Sequence, residues 1–553
     1  MRGTRDPSGW RVWRNQYEMD DLVRQDVWEN RTTWQDAVAK SEADPGGVAI
    51  WFDDGSDLKF GEAVDEARRL AVSLAELGLR KGDVVSANLP NWREMAIINL
   101  ACCALGLVIN PIIPIYRDHE VGFILKDAGS RVLFTPGVVS NFNYPEMARR
   151  LARQTPSLEW LVTVRPGDGE TLNSSYSAMV EQGDPDRFQA DQVDPNHIKL
   201  LMYTSGTTGV PKGVLHSHNT LRRSAANSAE ARGVGEGDIT LMASPVTHVT
   251  GYSSLEQAFS SPIKTALMSR WDKVTAVDFI ERTGATLTVG ATPFLKELVD
   301  EAQARGTGLS SLRQFACGGA EVPPQLIARA HDVLENCRCF RVYGSTEVPL
   351  VTQGFQKKED ARLAAETDGR IYNYDVRIVD SEGCDVAPGN EGEILARGPS
   401  MFLGYTDWEE TEKAVDQDGY FHSGDLVRAG PQCSIVVTGR LKDLIIRGGE
   451  NLSAKEIEDV LHRHPAIQEA AVVAMPHPRL GEGVCAWLIL HDHRQRLGAE
   501  ELRRFLHEQG LSPQKSPESI HIVDHFPRTA SGKIQKNILR RKTRERLMIS
   551  GRA

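Results

Sequence analysis

A loop rich in glycine and hydroxyl side chains, set between two apolar stretches, constrains this chain more than any other feature. Residues 204–213 read Thr-Ser-Gly-Thr-Thr-Gly-Val-Pro-Lys-Gly. Glycine lets the backbone turn its N–H groups toward an anion, the hydroxyls add hydrogen-bond donors, and Lys212 adds a positive charge. The loop therefore predicts a binding site for a polyphosphate, and hence for a nucleotide. Its candidate binding residues are Thr204, Ser205, Gly206, Thr207, Thr208, Gly209 and Lys212.

This loop does not fit the Walker-type P-loop, G-x-x-x-x-G-K-[ST], in which a hydroxyl residue follows the lysine and helps to bind Mg²⁺. Here a proline precedes Lys212 and a glycine follows it. The apolar run 198–203 predicts one strand and residues 214–218 predict another, before a helix that begins near Asn219. We therefore expect the loop at the tip of a hairpin. Without further matches along the chain, a solvated turn would be an equal alternative.

Four further segments combine glycine with hydroxyl or charged side chains. They are Tyr-Gly-Ser-Thr-Glu at 343–347, Tyr-Phe-His-Ser-Gly-Asp at 420–425, Gly-Arg-Leu-Lys-Asp at 439–443 with Gly-Gly-Glu at 448–450, and Pro-Arg-Thr-Ala-Ser-Gly-Lys at 527–533. Together with the loop, and in this order, they resemble the adenylate-forming superfamily. That superfamily includes acyl-CoA synthetases, firefly luciferase-like enzymes and peptide-synthetase adenylation domains. The resemblance covers nearly the whole chain.

The chain is expected to form an α/β fold with two domains of unequal size. Helical stretches such as 62–77 alternate with strand-like stretches such as 84–89. After residue 438 the sequence predicts a compact unit with a helix and strands of its own. The resemblance implies the same division: a large multi-subdomain N-terminal domain over residues 1–439 and a small, mobile α+β C-terminal domain over residues 440–553.

Composition and charge argue against several classes of partner. The 64 Lys and Arg against 75 Asp and Glu give a formal net charge of −11, which offers no reason to expect nucleic acid or an anionic membrane. The eight cysteines contain no C-x-x-C pair, which suits a reduced cytoplasm, and the charged N-terminus lacks an apolar signal segment. The apolar run 95–115 contains asparagine and proline, so it predicts a buried helix and strand rather than a membrane span.

The resemblance implies an ATP site built from several of the motifs. Glu347 offers a hard oxygen ligand for Mg²⁺, together with Thr204 in the loop. Asp425 and Arg440 are assigned to the ribose; a turn aspartate and a surface arginine are the structural alternatives. The glycines at 318 and 319 and Tyr343 are assigned to the two faces of adenine, with a helix cap and a core tyrosine as alternatives. The implied nucleotide contacts outside the loop are Gly318, Gly319, Ala320, Tyr343, Gly344, Ser345, Thr346, Asp425 and Arg440.

The implied catalytic residues are Lys533, His248, Glu347 and Thr204. By resemblance, Lys533 touches the substrate carboxylate and the nucleotide while the acyl adenylate forms. A lysine in a basic tail is otherwise most often a solvated charge. Lys442 matches the hinge about which the C-terminal domain rotates for the second half-reaction, and Gly448 and Gly449 would allow the pantetheine arm of CoA to approach.

The acyl pocket is the least constrained part of the site. His248 matches a position that guards the carboxylate and thiol channel, with a core histidine as the alternative. No acidic residue occurs from 244 to 252, where amino-acid-activating relatives commonly place an aspartate, so we expect an acid without an amine. The implied lining is His248, Tyr252, Gly290, Thr292, Pro293 and Gly318. The phrases around these residues look most like medium-chain fatty acid and cyclohexanecarboxylate CoA ligases.

The sequence therefore predicts an ATP-dependent acyl-CoA ligase that acts on a medium-chain fatty or alicyclic acid, with ATP, Mg²⁺ and CoA as its small-molecule partners. An enzyme that loads a carrier protein, an aryl-CoA ligase and a catalytically inactive binding protein remain as alternatives. Intact Lys533, Glu347 and Asp425 disfavour the inactive protein. A cytoplasmic location is expected, and both a monomer and a homodimer remain open. His216 and His218 lack a nearby third ligand and are expected to be structural rather than metal-binding.

Overall fold

The predicted phosphate-binding loop connects two paired strands of a large sheet. Ile198–Thr204 and Lys212–Ser217 pair antiparallel, with Thr204 opposite Lys212. A helix follows at once, because the Ser217 hydroxyl accepts a hydrogen bond from the backbone N–H of Thr220 and caps its first turn. The computed structural model describes residues 3–167, 171–190, 192–204, 211–448, 450–492, 497–529 and 533–549.

Two mostly parallel sheets form the body of the large domain. Apart from the hairpin, its neighbouring edge strand and the Val48–Phe52/Asp57–Lys59 pair, all neighbouring strands run parallel. The eight-stranded sheet has the order Ser174–Ser175, Trp160–Val164, Val132–Pro136, Val84–Ala87, Val108–Pro111, Ile198–Thr204, Lys212–Ser217 and Gly404–Tyr405. The seven-stranded sheet has the order Arg338–Arg341, Gln314–Cys317, Leu287–Gly290, Ile239–Met242, Lys264–Leu267, Val48–Phe52 and Asp57–Lys59.

One large apolar core joins the two sheets. It takes residues from strands of both sheets and from several helices, among them Thr33–Ala43, Phe60–Glu76, Arg93–Leu105 and Val249–Ser260. Strands buried on both faces are typical of parallel sheets covered by helices, which is why they read as continuous apolar runs in the sequence. The α/β class predicted for the large domain is confirmed.

Two smaller sheets complete the chain. Asp375–Val379, Glu391–Arg397, Phe421–Ala429 and Ile435–Arg440 form a four-stranded antiparallel sheet. The turn Leu441–Asp443 then leads into a small domain, whose sheet contains Ile445–Arg447, Glu450–Leu452, Ile467–His477, Gly481–Leu490 and Ser519–Ile522. The large and small domains agree with the predicted architecture; the division between residues 439 and 440 stays a prediction. Two-stranded pairs are Thr4–Arg5/Arg11–Val12, Val138–Val139/Phe142–Asn143 and Thr352–Gln353/Arg370–Ile371.

The remaining helices cover the sheets and connect the strands. They are Gln16–Arg24, Asp118–Asp127, Tyr144–Ala152, Tyr176–Gln182, His218–Arg232, Lys273–Thr283, Thr292–Arg305, Pro324–Val333, Ala361–Glu366, Trp408–Ala414, Ala454–Leu461, Ala499–Glu508 and Lys536–Ile549. Short 3₁₀ turns lie at Pro185–Arg187, Lys358–Asp360, Pro431–Cys433, Leu441–Asp443 and Pro513–Lys515.

The apolar run 95–115 forms the predicted helix and strand. The Arg93–Leu105 helix ends at Gly106, whose left-handed conformation has a φ of 65°, and the Val108–Pro111 strand follows. Within the described ranges, no helix is both long and apolar enough to cross a membrane.

Candidate active site

The mouth of the phosphate hairpin carries a lysine–carboxylate pair. Lys212 Nζ lies 2.5 Å from a carboxylate oxygen of Glu410, on the Trp408–Ala414 helix, and 5.0 Å from the centre of the Tyr405 ring. Hydrogen bonds from Lys212 and Lys413 lower the pKa of Glu410 to about 2, so the pair is charged at neutral pH. Of the predicted phosphate-binding residues, Ser205, Gly206, Thr207, Thr208 and Gly209 lie outside the described residues.

Glu347, the predicted Mg²⁺ ligand, is held by contacts at its backbone and side chain. Its carbonyl oxygen accepts a hydrogen bond of 2.8 Å from the Phe402 N–H, and its Oε1 accepts one of 2.9 Å from the Tyr405 hydroxyl. Burial, together with the charge of Glu347, raises the pKa of Tyr405 far above its ordinary value. The phenol therefore stays protonated and keeps donating to the carboxylate.

A buried histidine fixes the residue before Glu347. His216 Nε2 lies 2.7 Å from the carbonyl oxygen of Thr346, and because a carbonyl only accepts, the imidazole must donate. Burial lowers the pKa of His216 to about 4, which keeps the ring neutral. His216 thus positions the 343–347 motif, which agrees with its predicted structural role.

The predicted adenine and ribose residues meet around Asp425. The Tyr343 hydroxyl donates to Asp425 Oδ2 at 2.8 Å, and Arg440 Nε lies 2.8 Å from Oδ1. Asp425 and Arg440 are direct partners on neighbouring antiparallel strands. The Asp425 charge raises the pKa of Arg440, while burial and that same charge raise the pKa of Tyr343. Three residues from different motifs therefore form one hydrogen-bonded unit, next to Gly344, Ser345 and Thr346.

The glycines at 318 and 319 follow a strand of the seven-stranded sheet. A Cβ at Gly318 would lie 2.5 Å from the carbonyl oxygen of Val342, so the neighbouring strand leaves no room for a side chain there. Gly319 has a φ of 79°, a left-handed conformation that favours glycine, and it and Ala320 are exposed. Both glycines therefore have a backbone reason to be present, and the exposed Gly319 and Ala320 leave a surface without bulky side chains.

The small domain brings Lys533 into the same cleft. The backbone N–H of Lys533 donates to the Thr529 hydroxyl at 3.1 Å, and its carbonyl accepts from the Thr529 N–H at 2.8 Å. Loss of solvent and then the charge of Arg440 lower the pKa of Lys533, whereas Asp425 and Glu347 raise it. The Lys533 side chain is exposed to the cleft, yet protein surrounds it closely enough for these charges to act.

His248 lies close enough to Lys533 for the lysine's charge to affect its pKa. Burial, and then Lys533, lower the pKa of His248 to about 4, so the imidazole is neutral at neutral pH. Its Nε2 atom is buried and has no hydrogen-bond partner among the residues that the structure describes. An unpaired buried nitrogen beside a cationic side chain is a ready partner for a polar group of a substrate.

The predicted acyl lining is only partly brought together. Gly290 packs against Phe294, and a Cβ on Gly290 would lie 3.1 Å from that ring; Thr292 Oγ1 donates to the Glu321 carbonyl at 2.6 Å, and Pro293 continues the same helix. Tyr252, on the Val249–Ser260 helix, is fully buried and donates to Asn99 Oδ1 at 2.7 Å. Its place in the acyl lining stays a prediction.

Comparison with known proteins identifies the fold around this cleft. A family model described as AMP-binding enzyme matches residues 37–406, and one described as AMP-binding enzyme C-terminal domain matches residues 456–533. The chain belongs to the AMP-binding enzyme family. The predicted resemblance is therefore confirmed, as is the prediction that the chain is an enzyme of the AMP-forming acid–thiol ligase type.

Relatives of this AMP-binding enzyme differ in the acids they are named for. The chain is 32% identical over 518 residues to a medium-chain fatty-acid–CoA ligase of Escherichia coli strain K12, covering 93% of this chain and 90% of that protein. It is 30% identical over 501 residues to the 2,3-dihydroxybenzoate-AMP ligase of Bacillus subtilis strain 168, covering 88% and 89%. The crystal structure of ATP-bound MatB from Rhodopseudomonas palustris superposes with a TM-score of 0.82 at 25% identity, covering 93% of this chain and 99% of that one.

The predicted hinge residue of this AMP-binding enzyme, Lys442, contacts the last helix. Arg540 Nη2 donates to the carbonyl oxygen of Lys442 at 3.2 Å and pairs with Asp443. Burial lowers the pKa of Lys442 to about 8. Gly448 has a φ of 63° and donates to the Leu480 carbonyl within the small domain, whereas Gly449 lies outside the described residues.

Several residues around the cleft carry no motif that sequence reasoning could have used. Tyr405 reaches Glu347 because the edge strand Gly404–Tyr405 pairs with Val214 and Leu215. Glu410 reaches Lys212 only through the helix that follows that strand. The one available signal was physical: a lysine at a hairpin mouth that is predicted to bind an anion needs a counter-charge when the anion is absent.

Proposed function

We propose that this chain is an ATP-dependent acyl-CoA ligase that joins a medium-chain fatty or alicyclic carboxylic acid to CoA through an acyl adenylate. The proposal is supported by the position of Lys533, on the small domain, which lies within electrostatic range of His248, Asp425 and Glu347 of the large domain. A cationic side chain at this point is suited to meet two anions at once, the carboxylate of the acid and the α-phosphate of ATP. Both reactants are negative, so positioning and charge neutralisation dominate the barrier.

In the first half-reaction, a carboxylate oxygen of the acid forms a bond to the α-phosphorus. The bond from that phosphorus to the bridging oxygen of pyrophosphate breaks, and acyl-AMP and pyrophosphate result. We assign Thr204 and Lys212 to the β- and γ-phosphates, since they face each other at the mouth of the hairpin. Asp425 is assigned to the ribose and Tyr343 to the adenine, because the two already share a hydrogen bond.

The donor set fits Mg²⁺. Tyr405 donates to Oε1 of Glu347, so the carboxylate keeps a fixed orientation and Oε2 is the oxygen it can offer to a metal ion. Thr204 offers a hydroxyl oxygen, and hard oxygen ligands of this kind are the ones Mg²⁺ prefers. Bound there, Mg²⁺ would neutralise charge on the phosphates.

In the second half-reaction, the sulfur of CoA forms a bond to the acyl carbon while the bond from that carbon to the AMP oxygen breaks. AMP leaves, and the thiol proton passes to solvent. Neutral His248, with its unpaired Nε2, is suited to hydrogen-bond the acyl or thiol group. Lys442 would act as the hinge, with Gly448 and Gly449 at the approach of the pantetheine arm.

The acid class is inferred from the residues predicted to line the acyl pocket. Phe294 lies against Gly290 and stacks on Trp271 with ring centres 4.4 Å apart, and no acidic residue occurs from 244 to 252. Such a lining favours an apolar acid without an amine. The alternatives are an aryl acid as the substrate, or a carrier protein in place of CoA as the acceptor. Because a 2,3-dihydroxybenzoate-AMP ligase is among the relatives, aryl acids belong in the substrate panel.

Release of AMP with Mg-ATP and a panel of aliphatic, alicyclic, aromatic and amino acids, each with and without CoA, tests the proposal. We expect turnover that requires CoA, a thioester confirmed by mass, and preference for medium-chain or alicyclic acids. Acyl-AMP that accumulates despite CoA would support a carrier-protein acceptor instead. Release of ADP, or of AMP with no acid dependence, would contradict the proposal.

Lys533→Ala tests the division of labour between the half-reactions. We expect it to abolish acyl-AMP formation, because the charge that meets both anions is lost, and to spare thioester formation from supplied acyl-AMP and CoA. Lys542→Ala, which removes an exposed lysine from the last helix of the small domain, is the matched control and should leave both half-reactions unchanged. Equal loss of both half-reactions in Lys533→Ala would refute the assignment.

A further inference from the structure

Residues 3–31 precede the part of the chain that matches the AMP-binding enzyme model, which begins at residue 37. They nevertheless pack against residues 398–405 of the large domain. The indole N–H of Trp13 donates to the Phe402 carbonyl at 2.8 Å, and the indole N–H of Trp28 donates to the Pro399 carbonyl at 3.0 Å. Both indoles are buried. We call residues 3–31 the N-terminal brace.

Arg14 is the central residue of the brace. Its guanidinium lies 4.7 Å from the centre of the Trp13 ring and 5.6 Å from that of Trp28, and Nη2 donates to the Gly398 carbonyl at 2.9 Å. Arg14 is 7% exposed, and its Nε has no hydrogen-bond partner among the described residues. Burying a guanidinium in this way costs free energy that an apolar side chain would not. The bond to Gly398 therefore gives Arg14 a directional role that packing alone would not require.

The segment that the brace holds continues directly into the candidate active site. Phe402 N–H donates to the Glu347 carbonyl at 2.8 Å, and Tyr405 OH donates to its carboxylate at 2.9 Å. The N–H of Thr406 donates to the Gly213 carbonyl at 2.8 Å, next to Lys212. Residues 398–406 thus have the brace on one side and both the Mg²⁺ ligand and the phosphate hairpin on the other.

We propose that Arg14 and Trp13 are positioning residues for Mg-ATP, which act by fixing residues 398–405 and, through Phe402 and Tyr405, the carboxylate of Glu347. This rests on the proposed role of Glu347 as a Mg²⁺ ligand. Groups that orient a metal ligand from behind set metal affinity although they never touch the metal. The brace therefore belongs to the ATP site, even though it lies outside the matched family model.

Equilibrium binding of ATP tests the proposal without turnover. Calorimetry would compare the Kd of Mg-ATP with the Kd of ATP in EDTA for Arg14→Met, Trp13→Phe and the wild type. Because the brace acts on the metal ligand, we expect Arg14→Met to weaken Mg-ATP binding about tenfold and to change binding of metal-free ATP little. Trp13→Phe keeps an aromatic ring and removes one hydrogen bond, so it should show a smaller change in the same direction.

Trp160→Phe is the matched control. This tryptophan lies in the eight-stranded sheet, near the edge opposite to the Gly404–Tyr405 strand. Its indole nitrogen is buried and has no hydrogen-bond partner in the described part of the chain. The substitution should leave both Kd values unchanged. Thioester formation from supplied acyl-AMP and CoA should also persist in Arg14→Met, because no metal–phosphate contact is needed there.

Two results would overturn the proposal. One is an unchanged Kd for Mg-ATP in folded Arg14→Met and Trp13→Phe proteins. The other is an equal weakening with and without Mg²⁺, which would indicate a general structural role. A wild-type protein that binds Mg-ATP but adenylates no acid would count against the proposed function and leave this comparison intact.

Discussion

At the scale of single residues, the charge on Lys212 already has a partner before any phosphate arrives. Glu410 and Lys212 are 28% and 24% exposed at their side chains, and they lie 2.5 Å apart. An anion that binds Lys212 must therefore compete with a carboxylate. Because the pKa of Glu410 is lowered to about 2, its carboxylate stays ionised at any pH near neutrality, and the competition with the anion persists there.

Glu410→Gln should therefore tighten the binding of Mg-ATP and of pyrophosphate. A partly exposed ion pair contributes up to about 1 kcal/mol, so we expect Kd values to fall about two- to fivefold. Stronger inhibition by pyrophosphate would accompany the change. Glu412→Gln, an exposed position on the same helix, is the control and should change neither value. Weaker binding in Glu410→Gln would show that the carboxylate orients Lys212 rather than competing with its ligand.

Residues inside motifs could be predicted to meet, and their partners could not. Tyr343, Asp425 and Arg440 lie far apart in sequence, yet the resemblance placed them around one nucleotide and the structure joins them by hydrogen bonds. Tyr405 and Glu410 follow a two-residue edge strand whose register depends on a tertiary pairing. No local periodicity in the sequence indicates such a pairing, so Tyr405 and Glu410 were not among the predicted site residues.

At the scale of elements, a buried ion pair joins the Ile198–Thr204 strand, which precedes the predicted phosphate loop, to the Val249–Ser260 helix, which follows His248. Lys199 Nζ lies 2.5 Å from Glu256, which also accepts hydrogen bonds from Asn99 and Thr33. Burial alone would raise the pKa of Glu256, but the Lys199 charge and these donors bring it below its ordinary value. This network also explains why Tyr252 lies in the core: its hydroxyl bonds to Asn99.

Glu256→Gln should destabilise the fold strongly. It would leave the Lys199 ammonium buried without a counter-charge, a loss of about 3–5 kcal/mol in the free energy of unfolding. Urea unfolding followed by circular dichroism would measure it. The double variant Lys199→Met/Glu256→Leu should regain most of the loss, because no charge then remains buried. A single variant as stable as the wild type would show that water or another group solvates Lys199.

Element types were predictable where the apolar pattern was long, and their arrangement was not. The helix and strand predicted within the run 95–115 are both present. A long run that is apolar on every side predicts elements that are buried on all faces, whatever their neighbours are. The pairing of residues 404–405 beside the hairpin, and the packing of residues 3–31 against the segment 398–405, depend on contacts between distant parts of the chain. Physical reasoning from one sequence does not order such pieces in space.

At the scale of the whole molecule, the small domain docks by a charge cluster beside the cleft. Lys455 Nζ lies 3.4 Å from Glu321 of the large domain and 2.7 Å from Asp459 of its own helix. Glu321 follows the exposed residues Gly319 and Ala320, so this contact lies next to the proposed adenine surface. The two carboxyl groups share one lysine in the orientation that also brings Lys533 to His248.

This docking should depend on pH through Asp459. Burial, and then Glu321, raise the pKa of Asp459 to about 7 from an ordinary value of 3.8. A carboxyl whose pKa is raised in one orientation stabilises that orientation at low pH, and the stabilisation is lost as pH rises toward about 7. The other charged groups that face this cluster are Lys455, Arg341 and His462, of which Lys455 opposes the shift. Between the ordinary pKa and about pH 7 the docked orientation therefore weakens progressively, and above pH 7, where two carboxylates face each other, it is at its weakest.

Asp459→Asn isolates this effect, because the amide keeps the shape and does not ionise. We expect the rate of acyl-AMP formation, relative to thioester formation from supplied acyl-AMP, to fall in the wild type between pH 5 and pH 7 and to level off above pH 7. In the variant that ratio should change less and should be higher than in the wild type at pH 8, since the docked orientation no longer loses a proton. Single-turnover assays of each half-reaction across this range supply the ratio, and comparing the two proteins cancels the titration of the CoA thiol. Parallel pH profiles in the two proteins would show that Asp459 does not set the balance between the domain orientations.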